Sequence, residues 1–188
     1  MQFHSELLIH ADADAVFDVL SDLALVAPMF PGASVAEPDA HGKYPGSLTI
    51  SLGPKKLVFT GLVSASPGKD RRSGVIDGTA NSNIRGTKMA VTLRYTLAPA
   101  AGSEARPATT VTMVSDAALS GLLADFAKVG GQAVANAVLD EFAVRLNAHF
   151  AAARTPMPPT GASSAPRLSL AGLLWRLVKT WLKPKRVV

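Results

Sequence analysis

The sequence predicts an α+β domain in which a curved antiparallel sheet wraps around a long C-terminal helix, with an extra amphipathic tail beyond it. Three observations carry this. Residues 119–150 contain no proline, and their apolar side chains recur at three- and four-residue steps: Leu122, Phe126, Val129, Ala133 and Ala137, then Leu139, Phe142, Leu146 and Phe150. That is the period of a helix with one apolar face. Upstream, short segments alternate apolar and polar residues between turn signals, as strands covered on one side do. Downstream, residues 154–166 hold four prolines in thirteen positions, and the character of the chain changes.

In order, residues 2–9 alternate weakly, with Phe3, Leu7 and Ile9 opposite Glu6, and read as a first strand. Asp12 is placed to cap a short helix over Ala13–Leu23, whose apolar positions are Ala13, Val16, Phe17, Leu20 and Leu23. The run Pro28-Met29-Phe30-Pro31-Gly32 ends helical structure. Strands are expected at 33–37, 45–52, 56–65, 72–79, 87–97 and 108–116. Three of them alternate clearly: Leu48, Ile50 and Leu52 share a face, as do Leu57, Phe59, Gly61 and Val63, and Met89, Val91, Leu93, Tyr95 and Leu97. One polar and one apolar face is the mark of an antiparallel sheet covered on a single side. The long helix is the cover, with Ser120 as its expected N-cap. Gly130-Gly131 interrupts it, at about 1 kcal/mol per glycine relative to alanine. Either the pair marks a kink or close packing contact, or it leaves room for something lying against the helix.

Composition narrows the function. There are no cysteines, which excludes disulfides, thiolate nucleophiles and cysteine-ligated metal sites. The net charge of +5 resides in the tail: before position 167 the chain carries 13 basic and 14 acidic side chains. A nucleic-acid-binding core is expected to own a basic face, and this one does not. The opening residues lack the basic and apolar regions of a signal peptide, which points to a cytoplasmic location.

Several local sequences resemble the family of the carbon monoxide dehydrogenase G subunit, within the START/polyketide-cyclase-like superfamily. Ala15-Val16-Phe17-Asp18-Val19-Leu20-Ser21-Asp22 is similar to its opening helix, Phe30-Pro31-Gly32-Ala33 to its apolar-Pro-Gly turn, and Leu52-Gly53-Pro54 with Phe59-Thr60-Gly61 to its paired-strand signature. Asp77-Gly78, Arg85-Gly86-Thr87 and the glycine-broken last helix also fit, so the likeness spans about residues 1–150. The resemblance implies the helix-grip fold, an apolar cavity between sheet and helix, and association with molybdenum-containing dehydrogenases that are brought to the membrane.

Chemistry-bearing patterns are scarce. His4, His10, His41 and His149 are far apart, with no metal-site spacing, so no metal and no catalytic residue are expected. Asp77 is the most unusual acid, and reads as a turn-flanking or hydrogen-bonded carboxylate before it reads as a general base. No phosphate loop or nucleophile elbow is present. With the resemblance in hand, an apolar ligand site is expected to be lined by Phe30, Pro31, Phe59, Met89, Val91, Met113, Leu122, Leu123 and Phe126, with Gly130 and Gly131 making room. Each of these also suits an ordinary packed core.

Three parts are therefore expected: a ligand-binding domain over 1–153, a linker over 154–166 and a basic helix over 167–188. At 100° per residue, Leu170, Leu173, Leu174, Trp175, Leu177, Val178, Trp181 and Leu182 fall in one arc, and Arg176, Lys179, Thr180 and Lys183 in the rest. Tryptophans on one face and no charge but cations on the other suit a helix lying in an anionic membrane surface, and the segment is too short and charged to span. The alternative is a helix packed on its own domain or on a partner enzyme, which rarely needs an all-cationic face. The combined reading is a non-catalytic accessory protein, peripheral on the inner face of the cell membrane. It would bind a menaquinone, a ubiquinone or a lipid and serve a molybdenum-containing dehydrogenase. A cyclase- or dehydratase-like enzyme using the same cavity, and a recruitment module with a filled core, are the rivals.

Overall fold

In the computed structural model, which describes residues 1–52, 55–101 and 107–154, seven antiparallel strands and one long helix make up most of the molecule. The strands are β1 (Gln2–Ile9), β2 (Ala33–Val35), β3 (Tyr44–Leu52), β4 (Lys55–Pro67), β5 (Ser73–Ser82), β6 (Lys88–Pro99) and β7 (Thr109–Leu119). They form a single open sheet in the order β1-β7-β6-β5-β4-β3-β2. Apart from β1, which joins the far edge beside β7, it is a meander of hairpins, so each register follows from its turn.

Between β1 and β2 lie α1 (Ala13–Ser21) and α2 (Leu23–Val26), then a 3-10 turn at Ala27–Met29. The single helix expected over 13–23 divides at Asp22, whose extended backbone ends α1 and whose carboxylate accepts from Leu25 N to start α2. Asp12 caps α1 through Asp14 N, as expected. The β4–β5 turn reaches back to α1: Arg72 binds Asp14 at 2.6 Å, and Arg71 binds Asp18 at 2.8 Å while lying over the Phe17 ring. The Arg72 hydrogen bond and charge hold the Asp14 carboxyl below its usual range.

The long helix, α3 (Leu122–Arg154), starts at the first residue of its apolar period, one residue later than a Ser120 cap would place it. β7 extends through Leu119, and Gly121, at φ +63°, turns the chain so that its carbonyl accepts from Ala124 N. Ser120 is therefore not the cap. Its hydroxyl accepts from Lys88 N and donates to Gly86 O, closing the end of the sheet instead. Gly130 leaves helical geometry (φ −162°, ψ 18°) and divides α3 into arms at 122–129 and 131–154.

The long arm covers the main core, built from Leu7, Ile9, Val16, Leu20, Tyr95, Leu97, Val111 and Met113 with Phe142, Leu146 and Phe150. A second, smaller core lies under the short arm, where Leu57, Phe59 and Leu123 are buried with Leu48, Ile50, Ala80, Ile84, Met89 and Leu119 around them. The two cores do not merge. Among the described residues no helix is long and apolar enough to cross a membrane. The expected linker and basic helix over 154–188 lie outside the described residues, apart from the final helical residue Arg154.

Candidate functional site

The gap between the two cores is a cavity of about 290 Å3 that opens to the surface. Cross-strand register explains why the sheet is hollow there. Gly46 pairs with Gly61, Gly61 with Ala80, and Ala80 with Met89, so three neighbouring strands present almost no side chain in one row. In the next row Gly78 sits between Val63 and Val91. A Cβ on Gly61 would run into Thr79 O and Ala80 Cα, so that glycine is required by the sheet itself. A Cβ on Gly78 would find nothing nearer than Leu62 O at 4.0 Å, and points into the empty space.

The walls are apolar. The sheet contributes Leu48, Phe59, Val63, Ile76, Met89, Val91 and Leu93, α2 contributes Leu23 and Val26, and α3 contributes Val138. Phe30 and Pro31 close one side. Their turn is fixed by Gly32, at φ +79°, whose carbonyl accepts from Thr49 N at 2.9 Å and whose missing side chain lets β3 approach. Phe30 is then held by stacking on Phe142 of α3, with ring centroids 4.0 Å apart. Val63, Ile76, Met89, Val91 and Leu93 face inward yet are only half-buried. A filled core would cover such side chains. Among the described residues, the lining includes no acid, base or histidine.

Five of the expected ligand-site residues meet here: Phe30, Pro31, Phe59, Met89 and Val91. Others do not. Met113 is 2% exposed inside the main core, and Leu123 packs with Leu57 and Phe59 in the second core. Gly130 and Gly131 do not line this cavity. A Cβ on Gly131 would meet Ala127 Cβ at 3.2 Å and the Phe3 ring at 3.5 Å, while Gly130 marks the kink and borders open space. The side chains of Leu122 and Phe126 lie outside the described residues, as do the tail positions Leu170, Leu174, Trp175, Arg176, Leu177, Lys179, Trp181 and Lys183. Sequence reasoning missed Gly46, Gly78, Ala80 and Val138, which only the register and the helix placement bring together.

A larger hollow, about 470 Å3, lies on the opposite face of the sheet. Its lining is half polar and half apolar, and its carboxylates are already engaged: Asp77 accepts from the Thr92 hydroxyl at 2.6 Å, and Asp116 binds Arg94 at 2.7 Å. Asp77 is thus a hydrogen-bonded surface carboxylate on the opposite face of β5 from the apolar cavity. Among the described residues, no group of three or more histidine, aspartate or glutamate side chains is placed to hold a metal ion.

Solved structures share this architecture. A conserved protein of Geobacillus kaustophilus superimposes with a TM-score of 0.70 at 14% identity, over 81% of this chain and 97% of its own. A protein of Thermus thermophilus gives 0.58 at 11% identity, over 82% and 100%. Norcoclaurine synthase of Thalictrum flavum, solved in complex with dopamine and hydroxybenzaldehyde, gives 0.52 at 13% identity, over 82% and 88%. At these identities the likeness is one of fold, the helix-grip fold. A search of curated proteins returns no match. The family model for the G subunit of carbon monoxide dehydrogenase (CoxG) matches residues 6–151. That match spans both cores and the whole cavity between them, and the chain belongs to the CoxG family of carbon monoxide dehydrogenase.

Proposed function

We propose that this protein is a membrane-attached, non-catalytic accessory protein of a molybdenum-containing dehydrogenase, and that its cavity carries an apolar molecule, foremost a respiratory quinone. The observation that supports this best is the open apolar cavity between the two cores, lined without a titratable group. General acid–base catalysis needs such a group within hydrogen-bond reach of the reacting atoms, so the lining favours a carrier over a cyclase-like enzyme. Family membership supports the dehydrogenase as partner. The tail sequence supports the membrane: one face rich in leucine and tryptophan, the other cationic.

Size constrains the ligand. At about 290 Å3 the cavity sits at the lower end of small-molecule sites, which run roughly 300–1,000 Å3. It takes a ring and the first part of a chain, and a long isoprenoid tail must leave through the mouth. The protein would draw the quinone head from the bilayer, present it to the docked enzyme and return the reduced form. No redox group of its own is needed.

The test is transfer. The full-length protein is incubated with vesicles containing menaquinone, separated at high salt, and extracted for quinone. Retention near one equivalent is expected. A folded, vesicle-binding protein that retains neither quinone nor lipid would overturn the carrier reading and leave a recruitment module in its place.

A further inference from the structure

We infer that the apolar cavity distinguishes the two redox states of its ligand: it holds the oxidised quinone and rejects the reduced quinol, so that reduction itself releases the product. This rests on the quinone reading proposed above and adds a direction of traffic to it.

Reduction changes what the ring requires of its surroundings. Two electrons from the docked dehydrogenase and two protons from water turn the two carbonyls into two hydroxyls. A carbonyl only accepts hydrogen bonds, whereas a hydroxyl also donates one and needs an acceptor once water is removed. The two oxygens lie at opposite ends of the ring. When the ring enters the cavity, no more than one of them can stay at the mouth.

The lining has little to offer a donor. Among the described residues, the one side-chain heteroatom that faces inward is the Met89 thioether, a weak acceptor. Ser34, Ser47 and Thr79 border the cavity through their backbone and turn their side chains away from it. Ser47 alternates with inward-facing Leu48, and its hydroxyl lies 2.8 Å from that of Ser34, its cross-strand partner. Thr79 alternates with Gly78 and Ala80 and lines the hollow on the opposite face of the sheet. The backbone is committed as well. β4, β5 and β6 form the floor, and each is paired on both sides. Their amides and carbonyls therefore point along the sheet into the neighbouring strands.

Burying a quinone carbonyl in such a chamber forgoes accepted hydrogen bonds, and burying a quinol hydroxyl forgoes a donated one besides. The quinone is expected to bind at least about tenfold more tightly than the quinol, the scale of penalty for one buried group left unpaired. By linkage, a tenfold difference lowers the midpoint potential of the bound two-electron couple by about 30 mV. A chamber that loosens its hold on reduction needs no gate to release its product.

Calorimetric titration of the full-length protein under anaerobic conditions tests this with three probes. They are a naphthoquinone carrying one isoprene unit, its dithionite-reduced quinol, and the dimethyl ether of that quinol, which keeps the ring and has no O–H. The chain has no cysteine, so the quinone forms no thiol adduct. Quinone and ether should bind within a few-fold of each other, and the quinol at least tenfold more weakly. Val91→Thr and, separately, Val63→Thr keep the shape of the wall and add a hydroxyl. Each should narrow the ratio of quinone to quinol affinity several-fold while circular dichroism stays native. Equal or tighter binding of the quinol would overturn the selectivity and leave the carrier reading intact. An ether as weak as the quinol would show exclusion by shape, and a ratio unmoved in both folded variants would place the discrimination outside this lining. Either result defeats the inference. Binding of none of the three would overturn the carrier reading as well.

Discussion

Phe30 lies flat on Phe142, ring planes 13° apart, so one face of Phe30 seals the main core while its turn lines the cavity. The residue is a partition. Phe30→Ala should merge the cavity with the space above Phe142, costing about 2 kcal/mol from lost burial and stacking at a half-buried site. Urea unfolding should show the loss. Ligand retention should fall as well, because the wall that fixes the ring of a bound molecule is gone. Unchanged retention would mean that the ligand sits elsewhere.

Two glycines of the cavity floor should respond in opposite ways. Gly78→Leu adds a side chain into open space, and its strand neighbours Val63 and Val91 already flank the position. Stability should hold or rise by up to about 1 kcal/mol, since leucine suits a strand better than glycine and buries apolar area, while ligand retention drops at least tenfold. Gly61→Ala changes far less volume yet collides with backbone at Thr79 and Ala80. It should lower the unfolding midpoint clearly. Equal behaviour of the two variants would contradict the assignment of the floor.

Tyr95 is 2% exposed and packs so closely on Gly74 that a Cβ there would touch its ring. Burial raises its phenol pKa above the usual 10.0. The neutral form is thus favoured on folding. Below the unfolded pKa the term is fully present. As pH rises beyond about 10, the unfolded chain releases the proton first, and stability falls. Tyr95→Phe should lose less stability than the parent between about pH 8 and 11, measured as the urea midpoint. An identical slope in the two proteins would show that Tyr95 carries none of the alkaline loss.

Much of this fold was legible because it is periodic. Alternation at Leu48 and Ile50, Leu57–Val63 and Met89–Leu97 marked the inner face of the sheet correctly, and the 3.6-residue period of Phe142, Leu146 and Phe150 marked the core face of α3. Alternation says which face a residue occupies and not which row. Met113 and Val91 share the inner face, yet register puts one in the main core and the other in the cavity. Gly46, Gly61 and Ala80 are each some fifteen to nineteen residues apart in sequence, and only the hairpins make them one row.

The edge of β1 was not legible for a related reason. Asn147 accepts from His10 N at 2.7 Å and donates to Leu8 O at 3.0 Å, so one carboxamide pairs with the free strand edge as a neighbouring strand would. Nothing in an asparagine on a helix announces this. Asn147→Ala should destabilise by about 1 kcal/mol, the net contribution of such exposed bonds, and should raise amide exchange at His10 specifically.

The tail gives the last test, because anionic and neutral bilayers respond differently to its charge. Each cation near an anionic leaflet contributes about 1 kcal/mol. Reversing Arg176, Lys179 and Lys183 to glutamate should therefore weaken binding to anionic vesicles by at least about a hundredfold. Neutral vesicles, held by the leucine and tryptophan face alone, should lose far less. High salt should reproduce part of the loss for the parent and should not weaken the charge-reversed chain further, since screening also relieves the repulsion between its glutamates and the anionic leaflet. Removal of 167–188 should move the protein from the membrane fraction to the supernatant with the circular dichroism of the domain unchanged, because both cores are built from residues 1–150. A truncated protein that still sediments with membranes would place the attachment on the domain itself, and the amphipathic segment would then need another role.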